Sequence, residues 1–236
     1  MKFVGIYHAP SSQYALCKQI GISHTEIALN AYPGSYDAME EVIKIAHDSG
    51  LYAIIEPGFN RDVNKAKEFL EKLKLKNLTC DHDIISLYDE VNLFNIPTSD
   101  IILANVFSKR ELPQCSTMIS LSWIKDFSNF YGICDYVGID YYRHILKDPW
   151  SLAVFTYKVK QFQKRNKGRI IGIPPIKYSP NHLKWCHWYW KNVIGMDGYL
   201  LYSFSPNEES PPWSNVSLDK MSKTLEVIKK INKEIK

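Results

Sequence analysis

The stretch GYLLYSFS, residues 198–205, is the eighth short apolar run in the chain, and the count of eight decides between two architectures. The other seven are FVGIYHA (3–9), TEIALNAY (25–32), YAIIEPGF (52–59), DIISLYDE (83–90), STMISLSW (116–123), YVGIDYY (136–142) and RIIGIPPI (169–176). Runs this short, rich in Ile, Val, Tyr and Phe and bounded by turn formers, read as buried strands. Helical patterns separate them. Residues 35–50 have a serine cap, apolar positions at helical spacing and a terminal glycine. Residues 62–75 begin at Asp62 and carry lysines toward their end, as the helix dipole favours. Further helices are expected over 12–21, 149–168 with Pro149 in the first turn, 179–195 and 217–236. Residues 97–112 read as loop plus helix, and 124–132 as a brief helical or irregular link.

Strands alternating with helices make a parallel α/β sheet. An open doubly wound sheet would carry a Gly-rich phosphate loop after its first strand, but YHAPSSQ (7–13) has none. Eight units of roughly 25–30 residues suit the closed (β/α)8 barrel. The expected fold is therefore a single (β/α)8 TIM barrel over residues 1–236, of minimal length and with short βα loops.

Composition narrows the class. The 29 basic and 25 acidic residues nearly balance, which gives no basis for nucleic-acid binding. The lysines of the tail alternate with apolar residues at helical spacing, as on a solvated helix face. No stretch has the ~18 apolar residues of a membrane span, and no secretory signal is visible. The five cysteines are odd in number and widely spaced, which argues against a disulfide framework or a zinc motif. A cytoplasmic, reducing location is expected. The Asn77 and Asn215 sequons read as chance matches in that setting.

In such a barrel the active site lies where the C-terminal strand ends converge. His8, Asn30, Tyr32, Glu56, Asp89, Glu90, Trp123, Asp140, Tyr142, Arg143, Tyr178, Ser203 and Ser205 stand at or just past those ends. Alternation along a strand separates barrel-facing from helix-facing positions. It turns Gly138, Asp140 and Tyr142 inward, with Tyr52, Ile54 and Glu56. It also turns Ser86, Tyr88 and Glu90 inward, and sends Asp89 toward the helices or into a capping role. Two or three carboxylates in an aromatic mouth are what glycoside hydrolysis requires: one protonated, one ionised. The candidates are Glu90, Asp140 and Glu56, with His8, Asp89, Trp123, Tyr142, Arg143 and Tyr178 against a carbohydrate substrate. No cofactor and no metal is needed.

The segments YDEVN (88–92), CDYVGIDYYR (134–143), GYLLYSF (198–204), QIGISHTEI (19–27) and GLYAIIEPG (50–58) together resemble those of glycoside-hydrolase-like (β/α)8 barrels. The resemblance implies that Glu90 is the acid/base. The sequence departs from the pattern twice. Val91 stands where proline is frequent, and RIIGIPPIK (169–177) has no glutamate where one retaining clan has its nucleophile. Two alternatives stay open. One is an inactive glycan-binding or structural barrel. The other is a metal-dependent sugar-processing enzyme using His8, Glu56, Glu90 and His144, although DHD (81–83) lies at the wrong end of its strand for that role.

Overall fold

The computed structural model describes residues 3–7, 9, 11–29, 35–141, 147–174, 179–201 and 218–235. Eight parallel strands close into a barrel in sequence order. They are β1 (Phe3–Ile6), β2 (His24–Ala28), β3 (Tyr52–Glu56), β4 (Ile84–Tyr88), β5 (Ser116–Ser122), β6 (Tyr136–Asp140), β7 (Arg169–Ile173) and β8 (Gly198–Leu201), with β8 pairing back onto β1. The helices are α1 (Tyr14–Gln19), α2 (Tyr36–Asp48), α3 (Val63–Leu75), α4 (Thr98–Glu111), α5 (Pro149–Gln163), α6 (Pro180–Tyr189) and α7 (Leu218–Ile235). No described helix is long and apolar enough to cross a membrane.

The caps sit where the sequence puts them. Ser35 accepts from the Ala38 N–H, Asp62 from those of Asn64 and Lys65, and Asp148 from that of Ser151 ahead of Pro149. Each satisfies a helix N-terminal N–H that has no partner within the helix. Between β5 and β6 the chain makes turns without a helix, in line with the irregular link expected at 124–132.

Alternation divides the core in two. Phe3, Ile54, Ile84, Met118, Tyr136, Ile171, Ile173 and Leu200 fill the barrel, while Ile27, Ile55, Ile85, Ile119, Ile139 and Ile170 face the helices. Two glycines permit close approach. A Cβ on Gly138 would stand 2.7 Å from Cδ1 of the barrel-filling Ile173. One on Gly172 would stand 2.3 Å from the buried Trp190 ring, so the π-helical turn Trp190–Ile194 can lie directly on β7.

A repeating device finishes the N-terminal end of the barrel. The residue just before each even-numbered strand accepts the backbone N–H of the second residue of the preceding strand. Ser23 Oγ takes the Val4 N–H at 3.2 Å, Asp83 the Ala53 N–H at 2.8 Å, Asp135 the Thr117 N–H at 2.8 Å and Asp197 the Ile170 N–H at 2.9 Å. A buried strand start is thereby supplied with an acceptor that the sheet ladder does not provide.

Candidate active site

At the opposite end, β4 decides the geometry. Ser86 pairs with Met118, but Tyr88 pairs with the next residue, Ile119, so Leu87 is an extra residue in β4. This bulge reverses the facing of Tyr88 and Asp89. Tyr88 packs with Phe59, ring centroids 6.0 Å apart, within the helix-facing core. Asp89 then takes the inward position and accepts a hydrogen bond from Ser120 Oγ. The expectation that Tyr88 faces inward and Asp89 outward is thus corrected: alternation holds only while the ladder is unbroken.

Glu90 leaves the strand in a left-handed conformation, φ 41°. Its N–H donates to Ser120 Oγ at 2.7 Å, and its carboxylate is hydrogen-bonded to Ser122. Both adjacent acids therefore meet serines of one β5 face. Val91 donates its N–H to the Ser120 carbonyl at 3.1 Å, a bond that the proline frequent at this position could not make. Asn92, which strand-end reasoning missed, clamps the turn. Its side-chain amide donates to the Ser122 carbonyl at 2.8 Å and accepts the Ser122 N–H at 2.7 Å. Its place just past the strand-four run, in YDEVN, was the signal for it.

Glu56 and Asp140 end β3 and β6 and are buried, as alternation requires. Ile54 below Glu56 is a barrel residue, while Ala53 and Ile55 face the helices. A further acid joins them. Glu26 is 2% exposed on β2, and its burial, then the charges of Glu56, Asp89 and Asp140, push its carboxyl well above the usual carboxylate range. It was overlooked because β2 was expected to run to Tyr32, but it ends at Ala28. The alternation His24, Glu26, Ala28 already carried the signal.

These acids act on one another. Burial and the charge of Asp89 raise Glu56 from 4.5 to about 7, with Arg61 opposing. Burial raises Asp89, partly offset by its bond from Ser120. Glu90 is raised by burial and by Asp89. Like charges held in a poorly solvated site favour protonation.

Trp123 follows the inward Ser122. It is partly buried against the helix-facing core, its ring 5.2 Å from that of Tyr141. His8, Asn30, Tyr32, Tyr142, Arg143, His144, Tyr178, Ser203 and Ser205 lie outside the described residues.

The barrel is similar in shape to glycoside-hydrolase barrels. A GH113 beta-1,4-mannanase superposes with a TM-score of 0.68 at 11% identity, over 99% of this chain and 98% of that one. The beta-glucuronidase of an uncultured Clostridium sp. gives 0.64 at 9% identity, over 99% of this chain and 50% of that one. A GH2 beta-galacturonidase from Eisenbergiella tayi, bound to galacturonate, gives 0.65 at 11% identity, over 98% of this chain and 51% of that one. The chain thus spans about half the length of the glucuronidase and the galacturonidase. At such identities the likeness is one of fold. No family model and no curated protein matches the sequence.

Proposed function

We propose that this barrel cleaves glycosidic bonds at its C-terminal face, with Glu56 and Glu90 as the working carboxylates. The observation that carries the reading is the elevation of buried Glu56 to about 7 beside Asp89. A carboxyl in that range still holds a proton near neutrality and can donate it to the leaving oxygen. Glu90 is more exposed and bonded to Ser122. It acts ionised at the anomeric carbon, directly or through a water. The resemblance in sequence gives Glu90 the acid role. The elevation of Glu56 to about 7 favours it for that role, because a general acid must still carry its proton at the working pH. Burial and then the charge of Asp89 hold both neighbours high, and Asp140 acts in turn on Glu26 deeper in the barrel. The substrate is a carbohydrate, and the fold likeness to a mannanase and to uronide-cleaving enzymes makes β-mannosides and β-uronides the first to try.

A second reading has its own support. The described β7 ends at Ile173, and Pro174, Pro175, Ile176 and Lys177 follow without a glutamate, as a barrel that binds glycans without cleaving them would allow. Assays of aryl β-mannosides and β-uronides and of the matching oligosaccharides separate the two. Hydrolysis by the wild type, abolished in both Glu56→Gln and Glu90→Gln, supports the enzyme. Binding of oligosaccharide with no release of reducing ends supports the binding barrel.

A further inference from the structure

The DHD segment that is misplaced for catalysis lies at the N-terminal end of the barrel, where three side chains of different chemistry meet. They are His47 in the last turn of α2, Cys80 in the α3–β4 connection, and Asp83 just before β4. A ring nitrogen of His47, the Cys80 sulfur and a carboxylate oxygen of Asp83 all lie within 4.8 Å of one another. We propose that these three residues bind one zinc-class divalent ion on the face of the barrel opposite the carboxylates.

The geometry is close to what such an ion needs. Bonds of about 2.0–2.3 Å in a tetrahedron set ligand atoms about 3.3–3.8 Å apart. His47 Nε2 already stands 3.1 Å from each Asp83 oxygen. Asp83 is held for the task, taking the N–H groups of Ala53 at 2.8 Å and Cys80 at 2.9 Å, the outer-shell support that orients a ligating carboxylate. The bond from its own N–H to Asp83 also fixes the backbone of Cys80. Cys80 is the partly exposed cysteine, whereas Cys17, Cys115, Cys134 and Cys186 are buried, so an ion and its completing water have access. Mixed sulfur, nitrogen and oxygen donors select zinc-like ions over magnesium or calcium. On binding, the Cys80 thiol and any proton on His47 Nε2 lose their hydrogens to solvent. The contact from α2 to Asp83 becomes a bond through the metal.

A metal-free cluster is the alternative, in which His47 pairs with Asp83 and the Cys80 thiol is hydrogen-bonded to the same carboxylate. Cobalt(II) distinguishes them, since a thiolate ligand gives an intense near-ultraviolet charge-transfer band. The full chain is titrated with Co²⁺ alone, then with Zn²⁺. The expected result is a band that saturates at one equivalent, is bleached by Zn²⁺, is absent in Cys80→Ser and is weakened at least about tenfold in affinity in His47→Gln. Both substitutions spare Asp83, whose loss would disturb the fold. Circular dichroism checks that each chain is folded. No band at millimolar Co²⁺ in the folded wild type, or an undiminished band in Cys80→Ser, overturns the proposal.

Discussion

The two ends of this barrel use carboxylates in opposite ways. At the N-terminal end the acids that precede the even-numbered strands, Asp83, Asp135 and Asp197, have donors. Asp83 takes two backbone N–H groups and His47, and Asp135 takes the Thr117 N–H and Lys109 Nζ at 2.5 Å. The Lys109 and Thr117 bonds hold Asp135 below the usual range despite the opposing effect of its burial. At the C-terminal end Glu26, Glu56, Asp89 and Glu90 are all raised, chiefly by burial, and all but Asp89 are raised further by a neighbouring carboxylate. The fold thus fastens one end and leaves the other electrostatically loaded. Acids with several donors stabilise a structure, whereas acids crowded together are poised to exchange protons.

The contrast breaks most visibly in activity. Glu56→Gln or Glu90→Gln should lower kcat/KM on a cleaved glycoside by about 10²–10⁴-fold, the span for a general acid or base. Thermal melting should be unchanged or higher, since a crowded charge is gone. At the fastened end the effect falls on stability. Asp83→Ala leaves the Ala53 and Cys80 N–H groups without their acceptor, and urea titration should show a loss of about 3 kcal/mol.

Varying pH sharpens the comparison. Folded Glu56 holds its proton up to about 7, against an ordinary 4.5, so the native state binds more protons across that window. Its contribution is therefore lost as pH rises from 4.5 through about 7. The stability of Glu56→Gln relative to wild type should climb over the same window, by at most about 3 kcal/mol. Activity that depends on protonated Glu56 should fall above pH about 7. The smallest effect belongs to Ser23→Ala. It removes one neutral acceptor from the N-terminal repeat and should cost about 1 kcal/mol in the same urea experiment.

Much of this was legible in the residues. Eight apolar runs bounded by turn formers reported a closed barrel, because parallel strands buried on both faces must be apolar throughout and short. Ser35, Asp62 and Pro149 marked helix starts, because the first-turn N–H groups need an acceptor close in sequence or, with proline, are absent. Glu56 and Asp140 were placed inward by alternation, which is local and held wherever the ladder was regular.

The rest depended on contacts between strands. The bulge at Leu87 exists because β4 and β5 slip by one residue between Ser86 and Tyr88, and nothing in SLYDE (86–90) announces it. That slip exchanged the facings of Tyr88 and Asp89. The left-handed turn at Glu90 brought both acids to Ser120 and Ser122, 30 and more residues away. Glu26 became part of the site through the charges of three other strands. The Ser23, Asp83, Asp135 and Asp197 repeat links residues about 20–30 apart and shows no sequence period. By itself the sequence determined which segments become strands and helices and that acids gather at one end, because burial and capping are properties of near neighbours. Only the tertiary structure decided which acids crowd together and which are tied down, because proton affinity and hydrogen-bond partners depend on groups brought close by closing the barrel.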